Sequence, residues 1–109
     1  MTLTNDTTDA ARELYLYFTN SAPAIAQYEH LLRNYEKKRA KGVYNSALAV
    51  KGAIHAVNAA AQAYARDHAD AADWHKLFST SDRAAVALML MDDAQAEWAA
   101  GNSWSKNND

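Results

Sequence analysis

Apolar residues recur at alternating spacings of three and four over long stretches of this chain, and polar punctuation separates the stretches. Ile25, Tyr28, Leu32 and Tyr35, with Leu31 beside them, form one continuous seam, as expected of an amphipathic helix whose 3.6-residue turn returns every third or fourth side chain to one face. Ala47, Val50, Ile54, Val57, Ala61 and Tyr64 repeat the pattern. Between the seams, Gly42 is placed to end the first helix in a left-handed conformation, and Asn45 or Ser46 to cap the next. So short a connection makes the two helices antiparallel neighbours, and residues 21–66 read as an αα-hairpin.

Upstream, Ala10, Leu14, Tyr17 and Phe18 share the face of a shorter helix for which Thr7 or Thr8 is the N-cap. Leu14 to Phe18 also suits a strand, but no other segment alternates apolar and polar residues, so a strand here lacks a partner. Asn20-Ser21-Ala22-Pro23 is a stop and restart, because proline's missing N–H costs nothing in a first helical turn. Downstream, residues 67–73 are acidic and loop-like, Trp74 to Phe78 form a short helical turn whose aromatics cover the core, and Ser79, Thr80 or Ser81 caps a last helix that Gly101 ends. Within it, Ala84 to Met91 is apolar all round, which predicts a helix enclosed by protein. The expected fold is all-α: a compact four-helix bundle built around a central αα-hairpin, with residues 81–100 most buried. Residues 1–101 make one helical domain, and 102–109 a disordered tail carrying Trp104.

The length, 109 residues, suits one domain with a modest core. The absence of cysteine excludes disulfides, thiol nucleophiles and Cys-based zinc sites, and fits a reducing cytoplasm. The N-terminal residues lack the basic and apolar runs of a signal or transit peptide, and Ala84 to Met91 falls far short of the roughly 20 residues a bilayer needs, so a soluble cytoplasmic protein with no membrane contact is expected. Charge changes the picture more. The net charge is -2, yet Arg33 to Lys51 holds six basic residues against Glu36, a balance of +5 that leaves -7 elsewhere. Such segregation points to a partner for the basic segment, either the chain's own acidic C-terminal half or something external.

That segment carries the candidate site. Arg33 with Lys37, and Lys37 with Lys41, are like-charge pairs four residues apart, each costing a few tenths of a kcal/mol in an isolated helix. Cations at a helix C-terminus complement its dipole, and the chain's own Asp92, Asp93 and Glu97 offer a solvated counter-surface, which together make an ordinary basic face; a functional reading rests on the excess of like charge across Lys37, Lys41 and Lys51. The predicted contact surface is Arg33, Lys37, Lys38, Lys41, Tyr44 and Lys51. Its partner is a protein with an acidic surface or, alternatively, nucleic-acid phosphate. A helix-turn-helix DNA reader is disfavoured, because both helices are too long and the second has no further basic residue until Arg66. A homodimer through the alanine-rich third helix is a structural alternative.

Asp67, His68, Asp70, Asp73 and His75 have metal-ligand chemistry, but their spacing matches no site type and they read as loop and cap residues. His30 and His55 are isolated. The serines stand at cap positions, and no G-x-S-x-G, glycine-rich phosphate loop or His-Glu-x-x-His occurs. No catalytic residue, metal or cofactor is expected, and the chain does not read as an enzyme.

Lys41-Gly42-Val43-Tyr44-Asn45 with Ala49-Val50-Lys51, a K-G-x-Y-(D/N)-x-x-x-A-V-K pattern, and the later Trp74, Phe78 and Arg83, a W-x-x-x-F-x-x-x-x-R pattern, resemble short uncharacterised proteins encoded by bacteriophages and plasmids. The likeness spans about residues 12 to 92 at the level of motifs. It implies a mobile-element accessory protein in a bacterial cytoplasm. Proteins of that size and origin, anti-CRISPR proteins among them, often inhibit host machinery by binding rather than by chemistry.

Overall fold

The computed structural model describes residues 8–68 and 74–104. Its helices are α1 (Asp9–Thr19), α2 (Ala22–Ala40), α3 (Ser46–His68), the single turn α4 (Trp74–Leu77) and α5 (Thr80–Ala99). This is the all-α bundle that the periodicities predict, with no strand among the described residues. No helix among them is long and apolar enough to cross a membrane.

Local chemistry sets the helix ends. Thr8 caps α1 by accepting the Ala11 N–H, Ser21 caps α2 with Pro23 in its first turn, and Asn45 caps α3 through the Leu48 N–H. Gly42, at φ 74°, ends the α2 segment in the left-handed region, where a Cβ is disfavoured. At α5 the Ser79 hydroxyl accepts the Asp82 N–H while the Asp82 carboxylate accepts the Ser79 N–H, a complete capping box. The Thr8 hydroxyl also donates to Asp82 at 2.7 Å, which ties the first turns of α1 and α5 together.

The contacts give the topology. Along α5, Thr8 meets Asp82 and Tyr15 meets Asp93, then Tyr28 meets Leu90 and Glu36 meets Trp98. Both α1 and α2 therefore run in the direction of α5, and the break at Asn20-Ser21 lets one follow the other. α3 returns antiparallel, with Tyr35 of α2 on Ala49 near its start and Tyr64 on Phe78 near its end. Residues 21–66 thus form the expected hairpin.

Two burial expectations change. The buried face of α3 is Ala49, Ala53, Ala56, Val57, Ala60, Ala61 and Ala65, whereas Val50, Ile54 and Tyr64 are half-buried and Ala47 is exposed. The buried stripe is rotated from the Val50–Ile54–Tyr64 seam towards the alanines, because alanine lets the backbones of α2 and α5 come close while the larger flanking side chains fill the angles between helices. Gly52 belongs to the same close approach: Tyr35 sits against it, and its hydroxyl donates to the Ala49 carbonyl at 3.1 Å. Nor is α5 enclosed on all sides. Val86, Ala87, Met89, Leu90, Met91, Ala94 and Trp98 are buried, but Leu88 is half exposed, so α5 shares the centre with α3.

Candidate functional site at the helical elbow

The turn between α2 and α3 is braced from beneath by aromatic rings. Tyr44 places its ring edge-on to Tyr35 at 6.1 Å and to Trp98 at 5.8 Å, and Trp104 meets Trp98 edge-on at 5.9 Å. Such edge-to-face pairs add roughly 0.5–1.5 kcal/mol each beyond the area they bury. The Arg39 guanidinium lies 4.4 Å from the Trp98 ring centre, a cation–π contact at the end of α2. Glu36 fastens the assembly: its carboxylate accepts the Trp98 indole N–H at 2.8 Å, the Ser103 hydroxyl at 2.9 Å and the Trp104 backbone N–H at 2.9 Å. Residues 102–104, assigned by composition to the start of a disordered tail, are therefore held across α2; residues 105–109 lie outside the described residues. An open cleft of about 610 Å³ lies here, with Glu36, Arg39, Tyr44 and Trp98 in its walls.

Of the predicted contact residues, Lys37, Lys38, Lys41 and Lys51 are exposed, and Arg33 and Tyr44 are half-buried. Lys41 is the C-cap of α2. Lys38 and Tyr44 meet around a dimple that Val43 and Leu48 also line. Val43 is 62% and Leu48 59% exposed, the two most exposed large apolar side chains described. Lys37 and Lys51 lie elsewhere. Each is two residues from a side of the Tyr35–Ala49 contact, about 200° round its helix, so they stand on the outer flanks of α2 and α3 and border the turn. Among the described residues no carboxylate forms an ion pair with Arg33, Lys37, Lys38, Lys41 or Lys51, and Asp93 instead takes the Tyr15 hydroxyl at 2.9 Å.

Periodicity did not single out Glu36, Trp98, Ser103 or Trp104. The one signal available was Glu36 itself, the lone carboxylate in a basic run. The residues of the two motifs around Gly42 and Trp74 have structural work at opposite ends of α3. Gly42, Tyr44 and Asn45 make the elbow, while Arg83 lies 4.7 Å from the Trp74 ring centre and donates to the Phe78 carbonyl, Asn58 and Thr80.

The candidate metal-type residues are dispersed into other roles. Asp67 accepts the Tyr17 hydroxyl, His68 stacks on Tyr64 at 4.1 Å, and His75 lies against Trp74. Asp70 and Asp73 lie outside the described residues, and no group of three potential ligands occurs among those described.

Fold and elbow together define an all-α bundle that presents a braced cationic turn. No protein-family model, curated protein or solved structure matches the chain.

Proposed function

We propose that the protein acts by binding, with the elbow as the surface that docks on an acidic face of a protein partner. The observation that carries this reading is the set of exposed cations without an ion-pair partner among the described residues, Lys38 beside the exposed apolar pair Val43 and Leu48, Lys41 at the end of α2, and Lys37 and Lys51 on the outer flanks of the two helices. An apolar centre inside a charged border is how protein interfaces divide the work: the centre supplies burial, and the border steers the encounter and rejects wrong partners. The bracing of Tyr44 by Tyr35 and Trp98 favours binding in the same direction, since a surface already ordered loses little entropy when it docks.

Following the resemblance to proteins of phages and plasmids, the partner is a host defence complex, and occupying its surface inhibits it as an anti-CRISPR protein does. In a plasmid-interference assay in a bacterium with an active CRISPR–Cas system, expression of the protein raises plasmid survival, and the Lys37→Glu/Lys38→Glu/Lys41→Glu variant loses the effect while unfolding at the same temperature. Full activity of that variant would remove the elbow from the interface. Binding of the native protein to a DNA duplex, weakening steeply with salt, would instead assign the cations to phosphate.

A further inference from the structure

On the far side of α2 from the hairpin partner, where α1 stops and α2 continues along α5, a second cavity of about 200 Å³ stays open. Its walls include Phe18, Tyr28, Leu32 and Leu90, with Trp104 closing one side. Glu29 from α2 and Asp93 and Glu97 from α5 also line it; Glu29 is half-buried, Glu97 is exposed and accepts the Asn102 side-chain amide, and neither glutamate forms an ion pair with a cation among the described residues. The lining hydroxyls offer a ligand no proton. Tyr28 donates to the Leu90 carbonyl at 2.8 Å, Tyr15 to Asp93 at 2.9 Å and Thr19 to the Tyr15 carbonyl at 3.1 Å. What the lining carboxylates and phenols have left is acceptor capacity. Such a cavity disfavours anions and favours a group that brings both donors and positive charge, because bringing a ligand carboxylate beside those of Glu29, Asp93 and Glu97 is repulsive, whereas an ammonium gains from them.

Volume narrows the ligand further, since an apolar cavity of about 150 Å³ holds a benzene ring. We propose that this cavity binds a small arylalkyl amine, its ring among Phe18, Tyr28, Leu32 and Leu90 and its ammonium group between Glu29 and Glu97. The site is separate from the elbow, and its test leaves the elbow cations untouched.

The test is a titration of the full-length ¹⁵N-labelled protein with 2-phenylethylamine, and in parallel with 3-phenylpropionate, a probe of similar size and opposite charge. The amine produces saturable shifts at the amides of Ile25, Glu29, Ala94 and Glu97, and the acid binds at least about tenfold more weakly. In the Glu29→Gln/Glu97→Gln variant, which keeps the shape of the rim, the amine loses that advantage. Should the variant fold poorly, the native protein still decides the matter, since its affinity for the amine falls as salt is added. Absence of saturable shifts, equal binding of the two probes, or shifts confined to residues outside the cavity would overturn the proposal.

Discussion

Tyr35 occupies with its phenol the space that a β-carbon on Gly52 would need. The same hydroxyl donates to the Ala49 carbonyl, so one tyrosine both requires a glycine in the middle of α3 and uses the gap to reach the backbone. A glycine in a helix interior costs about 1 kcal/mol relative to alanine. Here the cost is offset by closer packing of α2 on α3.

Gly52→Ala is accordingly expected to destabilise the protein by about 1–2 kcal/mol despite alanine's better helix propensity, since the tyrosine must shift and give up its hydrogen bond. The Tyr35→Phe background should relieve the conflict, because the next ring atom lies 3.5 Å from the added carbon, an ordinary contact. Urea unfolding of the two single variants and the double variant would therefore be non-additive, with the double variant more stable than the sum of the single losses implies.

Glu36→Gln should loosen the C-terminal segment before the bundle. Three donors converge on this carboxylate, and an amide replaces one acceptor oxygen with a donor facing another donor. A loss of about 1–3 kcal/mol is expected locally. It would appear as faster hydrogen exchange at the Trp98 indole and the Trp104 amide, with a smaller change in the global unfolding midpoint.

Arg83→Lys is expected to cost about 1–3 kcal/mol although the charge is kept, because the guanidinium uses Nε, Nη1 and Nη2 on three different partners while facing Trp74. A lysine reaches one of them. Thermal unfolding followed by circular dichroism would register the loss, and near-ultraviolet signals from Trp74 would report the freed ring.

Stability should fall at both ends of the pH range. Burial acts to raise the pKa of Asp82, but hydrogen bonds from Thr8 and Ser79 and the charge of Arg83 hold it below the ordinary value of 3.8. Its contribution is therefore present above that value and is lost as pH falls through the lower folded value. Burial raises the pKa of Tyr28 and Tyr15, and nearby Asp93 raises both further. Their contribution is complete below the unfolded value of about 10 and is lost as pH rises above it. Urea midpoints measured across pH would show both limbs. Asp82→Asn should flatten the acid one, and Tyr28→Phe should flatten part of the alkaline one.

The sequence by itself determined the features that depend on neighbours along the chain: the helical periods, the cap at Ser21, the short polar stretches from which the structure selects Thr8, Asn45 and Ser79 as caps, and the left-handed Gly42 that folds two helices into a hairpin. These follow from backbone donors and dihedral limits that a few adjacent residues satisfy. Only the tertiary structure decided which side of α3 faces inward. Its valine–isoleucine–tyrosine and alanine stripes are adjacent and both apolar, and the choice went to the stripe that allows the closer approach of two other helices. The same holds for the Glu36 clasp, whose partners lie 62 to 68 residues further along the chain. No local period registers so distant a pairing, which exists because α2 and α5 end side by side.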